Sequence, residues 1–151
     1  MQNGGFDDEN GNYIPVVGEE IADRYIVHAE LGRGSFGVVV RCADRAKMTD
    51  VALKIIRNLS QFYHQAKLEV EILTGLNERS GEDTAIVRVL KVFSWKNHPV
   101  IVFELLAFSL YDLVRQTNYN GVSLGLVRKF ATQVLQTLDF LKVAAAADSS
   151  L

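Results

Sequence analysis

Three glycines, Gly32, Gly34 and Gly37, stand at the spacing G-x-G-x-x-G and constrain this chain more than any other feature. Two unrelated folds use that spacing, so the glycines alone do not decide between them. In a dinucleotide-binding fold, the glycine turn leads directly into a helix whose N-terminus holds a pyrophosphate. Here the glycines lead into three successive valines at positions 38–40, and β-branched residues favour a strand. The sequence therefore predicts a glycine-rich hairpin between two strands.

A lysine on the next predicted strand gives this hairpin a chemical partner. Residues 51–54 read Val-Ala-Leu-Lys and place Lys54 within a strand predicted over 51–56. Backbone N–H groups of a glycine-rich turn can approach phosphate oxygens because no Cβ intervenes, and a lysine can neutralise those phosphates. The other common phosphate-binding loop, which ends in Gly-Lys-Ser or Gly-Lys-Thr, is absent from the sequence.

One acidic residue, Glu69, interrupts the apolar stripe of a helix predicted over 61–77. A buried carboxylate without a partner is costly, so Glu69 needs a cation, and Lys54 on the preceding strand is the obvious one. Taken alone, Glu69 could equally lie at the edge of the stripe and face water. Glu71 lies on another face of the helix and is expected to be solvated. The stripe consists of Phe62, Ala66, Glu69, Leu73 and Leu76.

The whole chain predicts an α+β fold in which five strands come first, with one helix after the third strand, and further helices follow. The strands are predicted over 25–31, from the glycine turn to about 43, and over 51–56, 86–95 and 99–103. A short helix is predicted over 110–116 with Ser109 at its start. A long helix is predicted from an N-cap at Ser123 to about Lys142. His98 is interpreted as a residue of the turn between the last two strands.

Composition and charge exclude several classes of partner. The chain has 151 residues, which suits one domain or part of a larger one, and its net charge of −2 predicts neither nucleic acid nor an anionic membrane surface as a partner. No apolar run reaches the length of a membrane span, and residues 1–12 are polar and acidic, unlike a secretory signal. Cys42, the only cysteine, is interpreted as a buried residue and fits a reducing compartment, the cytoplasm or the nucleus. No two histidines have ligand spacing, so no metal site is predicted.

In this order and at this spacing, the motifs resemble the N-lobe of a protein kinase. The resemblance implies ATP as the cofactor, with the glycine turn at the phosphates, Lys54 on the inner phosphates and Glu69 holding Lys54 in place. Val39 and Ala52 are expected to cover the adenine ring, and Phe103 to close the back of the pocket. The strand end after Phe103 is expected to hydrogen-bond the adenine. The ATP-binding residues implied are Leu31, Gly32, Arg33, Gly34, Ser35, Phe36, Gly37, Val38, Val39, Ala52, Lys54, Phe103, Glu104, Leu106 and Asp112.

From residue 7 to about residue 141, the chain resembles more narrowly the dual-specificity tyrosine-regulated (DYRK) family of protein kinases. The acidic run at 7–10, with Tyr13 and Ile14, resembles a box that this family carries before its kinase domain, and this implies that Tyr13 and Ile14 dock on the sheet. Phe103 matches the family's gatekeeper, the run 104–106 its hinge, and Asp112 a residue near the ribose. Further matching runs are 23–25, 31–39, 51–56, 65–70, 102–104, 110–113 and 121–124.

The resemblance implies a division of the chain and an activity. Residues 1–22 form an N-terminal segment with the acidic box, residues 23–106 the N-lobe and hinge, residues 107–142 the first helices of an incomplete C-lobe, and residues 143–151 a tail foreign to the family. Members of the family are serine/threonine kinases of dual specificity, which transfer a phosphoryl group from ATP to hydroxyl groups of proteins. A protein substrate and Mg²⁺ are therefore implied.

The chain then departs from the family pattern. Kinases follow the long helix with His-x-Asp, then lysine and asparagine, and later with Asp-Phe-Gly. No histidine follows His98, and Asp148 stands among alanines and serines. The groups that accept the substrate hydroxyl proton and hold Mg²⁺ are thus missing from these 151 residues. We therefore expect this chain alone to be inactive and to bind ATP weakly.

Two interpretations remain open at this point. The chain is a truncated kinase product or fragment, or it is a non-catalytic nucleotide-binding or protein-interaction module that uses the lobe. The abrupt run of alanines at 144–147 favours truncation, whereas an unrelated β-rich binding protein would require every match to be coincidence. Without a lobe to cover it, the apolar face of the long helix is expected to cause self-association. Its stripe consists of Val127, Ala131, Val134, Leu138 and Leu141.

Overall fold

The computed structural model describes residues 3–81 and 85–148. The chain divides into two compact units, one formed by Met1–Thr74 and Val87–Leu105, the other by Gly75–Ile86 and Leu106–Leu151. The first unit holds the sheet and most of the first helix, and the second holds two further helices.

The first unit is built on an antiparallel sheet of six strands in the order β1-β2-β3-β4-β6-β5. The strands are β1 Glu20–Ile21, β2 Tyr25–Gly34, β3 Gly37–Asp44, β4 Thr49–Ile56, β5 Val89–Trp95 and β6 His98–Glu104. The five predicted strands are β2 to β6, so the predicted α+β arrangement is confirmed. The additional strand, β1, has only two residues, too few to show any periodicity in the sequence.

Along the central strands, buried residues alternate with more exposed ones, so the sheet has one face toward the core and one face away from it. The run of three valines resolves into Val38 and Val40, which are fully buried, and Val39, which is half-buried on the other face. Cys42 shares the buried face, and burial raises the pKa of its thiol to about 12, so it stays protonated at neutral pH. The core contains Tyr13, Ile21, Tyr25, Val27, Val38, Val40, Cys42, Val51, Leu53, Ile55, Val100 and Val102.

Tyr13 docks in this core as expected, but Ile14 does not. The Tyr13 ring is fully buried, while Ile14 is 39% exposed, because successive residues of an extended segment face opposite sides. The Tyr13 hydroxyl donates to Glu19 Oε2 at 2.8 Å and accepts from Trp95 Nε1 at 3.2 Å. Burial, reinforced by Glu19, raises the pKa of Tyr13 to about 12.

The interpretation of His98 as a turn residue is wrong. Lys96 and Asn97 both have positive φ, 46° and 68°, as the two central residues of a tight hairpin turn do. The turn is therefore complete after Asn97, and His98 is the first residue of β6, fully buried. Its Nδ1 lies 2.7 Å from the carbonyl oxygen of Ile56, and its Nε2 lies 2.8 Å from Asp7 Oδ1.

The first helix, α1, runs over Ser60–Arg79 and confirms the helix predicted over 61–77. Its predicted stripe is the side that packs, with Ala66 buried and the other four members half-buried. Glu71 is exposed as expected and lies 3.8 Å from Lys67, one turn earlier on the same helix.

The second unit contains α2 Leu110–Gln116 and α3 Leu124–Asp148, at the predicted positions. The helix α3 continues six residues beyond its predicted end at Lys142, because alanine is the best helix former and the run at 144–147 prolongs it. Ser123 accepts a weak hydrogen bond from the Leu126 amide at 3.3 Å, as an N-cap does. Along the described part of the chain, no helix is both long and apolar enough to cross a membrane.

Candidate functional site

The glycine hairpin is formed by the end of β2 and the start of β3. The two strands pair as far as Gly34 and Gly37, so that Ser35 and Phe36 form the tip. Gly37 has φ +144°, and a Cβ there would collide with the carbonyl oxygen of Ile55 on β4. Only glycine fits this position. No atom within 4 Å would meet a Cβ at Gly32 or Gly34, so the backbone there is open to a ligand.

Lys54 and Glu69 meet in an ion pair beside this hairpin. Lys54 Nζ lies 2.5 Å from Glu69 Oε1, and the two side chains are 22% and 32% exposed. The strand register puts Lys54 opposite Val39, so both face away from the core. The α1 stripe therefore includes a carboxylate because a strand lysine neutralises it, which is the contact that the sequence predicted.

The phenylalanine at the hairpin tip turns toward the same place. The Phe36 ring centroid lies 5.9 Å from Lys54 Nζ and 6.0 Å from the Phe62 ring, which it meets edge-on. The backbone N–H of Arg57 donates to the Phe36 carbonyl oxygen at 3.0 Å. The sequence pattern places Phe62 in the apolar stripe and gives no signal for Arg57. A tight link between the end of β4 and the hairpin tip has no signature in the sequence.

The expected adenine side of the site lies on the same face of the sheet. Ala52 is paired with Phe103, and both are half-buried, as is Val39. Glu104 has its backbone N–H committed to the Arg88 carbonyl at 3.2 Å, and its carboxylate accepts from the Arg88 N–H at 2.9 Å. Glu104 and Arg88 thus bind each other through two hydrogen bonds at the end of β6.

The side chains of two predicted ATP-binding residues, Val38 and Arg33, make other contacts. Val38 lies in the core with no exposed surface, so only its backbone lies along the hairpin. Arg33 binds Glu30 through two hydrogen bonds, of 3.1 and 2.8 Å, and lies 3.8 Å from Asp8. The hydrogen bond to Glu30 raises the pKa of Arg33, and Arg33 lowers the pKa of Glu30. Leu31, by contrast, is 51% exposed on β2.

An apolar groove of about 490 Å³ opens beside the ion pair, between α1 and the sheet. Its lining includes Glu69 and Phe103, together with Leu68, Leu73 and Val87. Of these, only Glu69 and Phe103 were expected near a ligand. Leu73 was assigned to the helix stripe, and nothing in the sequence distinguishes a stripe residue that lines a groove from one that is covered.

The remaining two predicted residues belong to the second unit. Leu106 is 65% exposed. Asp112 is the third residue of α2 and forms a reciprocal cap with Ser109, whose Oγ donates to Asp112 Oδ2 at 2.6 Å and accepts from the Asp112 amide at 3.1 Å. The hydrogen bonds from Ser109 lower the pKa of Asp112. The structure therefore gives Asp112 a capping role, and the predicted role near a ribose stays a prediction.

No metal-ligand set appears in the described ranges 3–81 and 85–148, where no three histidine, cysteine, aspartate or glutamate side chains come together. The Mg²⁺ that the family resemblance implies does not fit the residues present. The residues that come together here are the open backbone at Gly32 and Gly34, a paired ammonium group at Lys54 and a half-buried apolar surface of the sheet.

Comparison with known proteins places this geometry in a family. Residues 25–145 match the protein kinase domain. The chain is 45% identical over 141 residues to the dual specificity tyrosine-phosphorylation-regulated kinase mbk-2 of Caenorhabditis elegans, and 43% identical over 139 residues to the human dual specificity tyrosine-phosphorylation-regulated kinase 4. These alignments cover 93% and 91% of this chain but only 17% and 27% of the two relatives. The chain therefore belongs to the protein kinase family, and its resemblance to the dual-specificity tyrosine-regulated kinases is confirmed.

Proposed function

We propose that this chain forms the ATP-binding part of a protein kinase of the dual-specificity tyrosine-regulated type. The 2.5 Å ion pair between Lys54 and Glu69, beside a glycine hairpin open to a ligand, is the observation that carries the proposal. Lys54 would neutralise the inner phosphates, and Glu69 would keep the lysine side chain from swinging into solvent. The whole protein would transfer the terminal phosphoryl group of ATP to serine, threonine or tyrosine hydroxyls of a protein substrate.

The purine would lie on the face opposite the core. Val39 and Ala52 offer small apolar surface on that face, and Phe103, paired with Ala52, limits the depth of the pocket. An adenine amino group would donate to a backbone carbonyl of the strand end at 104–106. Apolar contacts on a flat ring and one or two backbone hydrogen bonds are the usual means by which a pocket holds such a ligand.

These 151 residues alone are proposed to bind ATP weakly and to transfer no phosphoryl group. No His-x-Asp or Asp-Phe-Gly run is present, so no group accepts the hydroxyl proton and no ligand pair holds Mg²⁺ against the phosphates. A radiolabelled phosphate-transfer assay with a generic protein acceptor should therefore show the same background for the chain and for Lys54→Ala. Turnover above that variant would contradict the proposal of inactivity.

Binding is tested separately from transfer, with the ATP analogue AMP-PNP, in which an NH group bridges the two outer phosphates. Titrations followed by nuclear magnetic resonance read affinities into the millimolar range, so weak binding is measurable. In the wild-type chain, AMP-PNP should shift the amide signals of the glycine hairpin. Lys54→Met should weaken binding about tenfold or more, because it removes the positive charge that would pair with the phosphates.

Lys67→Met is the matched control for this titration. Lys67 lies on α1, carries the same charge and is 78% exposed, so its removal changes net charge equally without touching the site. An equal loss of affinity in both variants would show that the lysine effect is only long-range electrostatics. Low-micromolar affinity of the wild-type chain would contradict the expectation of weak binding.

The alternative of a non-catalytic nucleotide-binding or interaction module predicts the same binding result. It differs in what the coding sequence holds beyond the codon for Leu141. A transcript that continues in frame into His-x-Asp would support the kinase, and one that lacks it in every form would support the module. Location in the cytoplasm or nucleus, which the single cysteine predicts, is proposed for either.

A further inference from the structure

We propose that the acidic N-terminal segment, residues 7–13, positions the glycine hairpin over Lys54, and that Asn12 is the positioning residue that acts through Arg57. The inference rests on the proposed function, because its consequence is a change in how the phosphates of ATP are held. It assigns the segment a role in ligand binding beyond packing against the sheet.

The segment is fixed at its start by buried polar contacts. Asp7 is 1% exposed, and its carboxylate accepts from Asn3 Nδ2 at 3.1 Å and from Asn58 Nδ2 at 3.2 Å, besides meeting fully buried His98 at 2.8 Å. The backbone N–H of Asn58 also donates to the Gly11 carbonyl oxygen at 2.9 Å. The segment therefore has a defined place on the lobe rather than a loose one.

Asn12 uses both ends of its side-chain amide. Its Nδ2 donates to Asp8 Oδ2 at 2.9 Å, and its backbone N–H donates to Asp8 Oδ1 at 2.8 Å. Its Oδ1 accepts from Arg57 Nε at 2.6 Å, and the residue is only 3% exposed. Because Asp8 holds the NH₂ end, the oxygen of the amide is directed at the guanidinium of Arg57.

Arg57 joins Asn12 to the tip of the hairpin. Its backbone N–H donates to the Phe36 carbonyl oxygen at 3.0 Å, and its guanidinium lies 5.9 Å from the Phe62 ring, against which Phe36 also packs. A second link is electrostatic, since Asp8 lies 3.8 Å from Arg33 on the β2 side of the hairpin. The segment thus holds the hairpin at its tip and at one strand.

The pKa of Asp8 supports this arrangement. Partial burial acts to raise the pKa, but the hydrogen bonds from Asn12 and Asn10, with the charge of Arg33, outweigh it and hold the pKa below its ordinary value. The carboxylate is therefore charged at neutral pH and can attract Arg33 and fix Asn12. The hairpin tip carries Phe36 to within 5.9 Å of the Lys54 ammonium, so its position determines the space left for phosphates.

The first test reads the hairpin without a ligand. Asn12→Ala in the full 151-residue chain should speed hydrogen exchange of the Arg57 backbone amide about tenfold, because the tip loses its support. Exchange of the paired amides near the tip should also become faster. Arg24→Ala is the matched control, since it removes a side chain that binds Asp44 through two 2.7 Å hydrogen bonds at the other end of β3. Unchanged exchange at the tip in Asn12→Ala, or an equal change in Arg24→Ala, would overturn the proposal.

The second test separates positioning from general loosening. AMP-PNP and adenosine are titrated against both variants. Asn12→Ala should weaken AMP-PNP binding about fivefold, the size of one lost hydrogen bond, and leave adenosine binding within about twofold of wild type. An equal loss for both ligands would mean that the segment only stabilises the lobe, and the proposal would fail.

A third variant covers the case in which Asn12→Ala does not fold. Arg57→Lys keeps the backbone bond to Phe36 but removes Nε, and should give the same selective loss of AMP-PNP. If the wild-type chain binds neither ligand, the proposed ATP binding is wrong for this chain. The exchange experiment then still decides whether the segment holds the hairpin, so the two proposals fail separately.

Discussion

The two units of this chain differ in how much of their apolar side chains is exposed. In the first unit, twelve core residues are at most 1% exposed; eleven of them lie on strands of the sheet, and Tyr13 comes from the N-terminal segment. In the second unit, Ala144 is the buried apolar residue among the described side chains of α2 and α3. The exposed ones there include Leu110, Tyr111, Leu124, Val127, Val134, Leu135, Leu138 and Val143.

The difference follows from the geometry of the elements. A strand has two faces, so a curled sheet can place every second side chain inside and close over it. The helix α3 is apolar over much of its circumference, and among its described side chains, 124–144, the half-buried or buried ones occupy only one side of it. These are Leu126, Phe130, Thr137, Phe140, Leu141 and Ala144. Of the stripe read from the sequence, Leu141 alone is half-buried or better, whereas Val127, Val134 and Leu138 are 46–55% exposed.

The largest expected effect comes from truncating one leucine in each unit. Leu53→Ala in the core should lower the free energy of unfolding by about 2–5 kcal/mol, because the side chain is fully buried and leaves a cavity. Leu138→Ala, at a position 55% exposed, should change it by less than about 0.5 kcal/mol. Urea unfolding followed by circular dichroism measures both. Similar losses in the two variants would remove the contrast between the units.

Glycine substitutions should have opposite signs in the two units. Gly37→Ala should destabilise the first unit by about 1–3 kcal/mol from backbone strain alone, and more from the collision with Ile55. Gly125→Ala, in α3, meets its nearest atom at 4.0 Å and should stabilise that helix by up to about 1 kcal/mol, because alanine is the better helix former. Thermal unfolding of both variants gives the comparison. Stabilisation by Gly37→Ala would refute the hairpin geometry.

The exposed face of α3 should make the chain associate. Leu135 is 65% exposed, and Leu135→Glu places a charge on that face and should shift the protein toward monomer. Gln136→Glu, the neighbouring exposed position, makes the same change of charge off the apolar face and is the control. Sedimentation velocity over a range of concentrations measures the shift. A wild-type chain that stays monomeric throughout would show that this face does not cause self-association.

The smallest effect expected is a pH dependence that differs between the units. The Arg24 side chain, bound to Asp44, holds the pKa of that carboxyl below its ordinary 3.8, and Ser109 does the same for Asp112. A lowered pKa in the folded state means that each carboxylate stabilises the fold above about pH 4, and that this contribution is lost as the pH falls through the lowered value. Asp44→Asn should cost more stability at pH 7 than Asp112→Asn, because the Asp44 side chain is only 2% exposed.

Urea titrations of both variants from pH 7 to pH 3 check this expectation. The difference in the free energy of unfolding between each variant and the wild-type chain should become smaller as the solution becomes acidic. A difference that stays constant for Asp44→Asn would mean that Arg24 does not hold its carboxylate charged in the folded state.

Local patterns in the sequence were enough for the hairpin, the strands and the helices, because glycine spacing, β-branched runs and helical stripes each act over a few residues. They favoured the pairing of Lys54 with Glu69 only in combination, because the carboxylate in the apolar stripe could equally have faced water until the glycine turn and the strand lysine were added. They did not separate Val38 from Val39, because three identical residues in a row carry no alternation.

What the sequence determined by itself is the kinase lobe and the identity of its ion pair. Only the tertiary structure decided that His98 is buried against Asp7, that Asn12 reaches Arg57, and that Arg57 supports the hairpin tip. These contacts join residues 45 to 91 positions apart, or depend on a backbone hydrogen bond that any residue can make. No local preference encodes such contacts, because they arise only when the sheet curls and brings the N-terminal segment across the ends of β4 and β6.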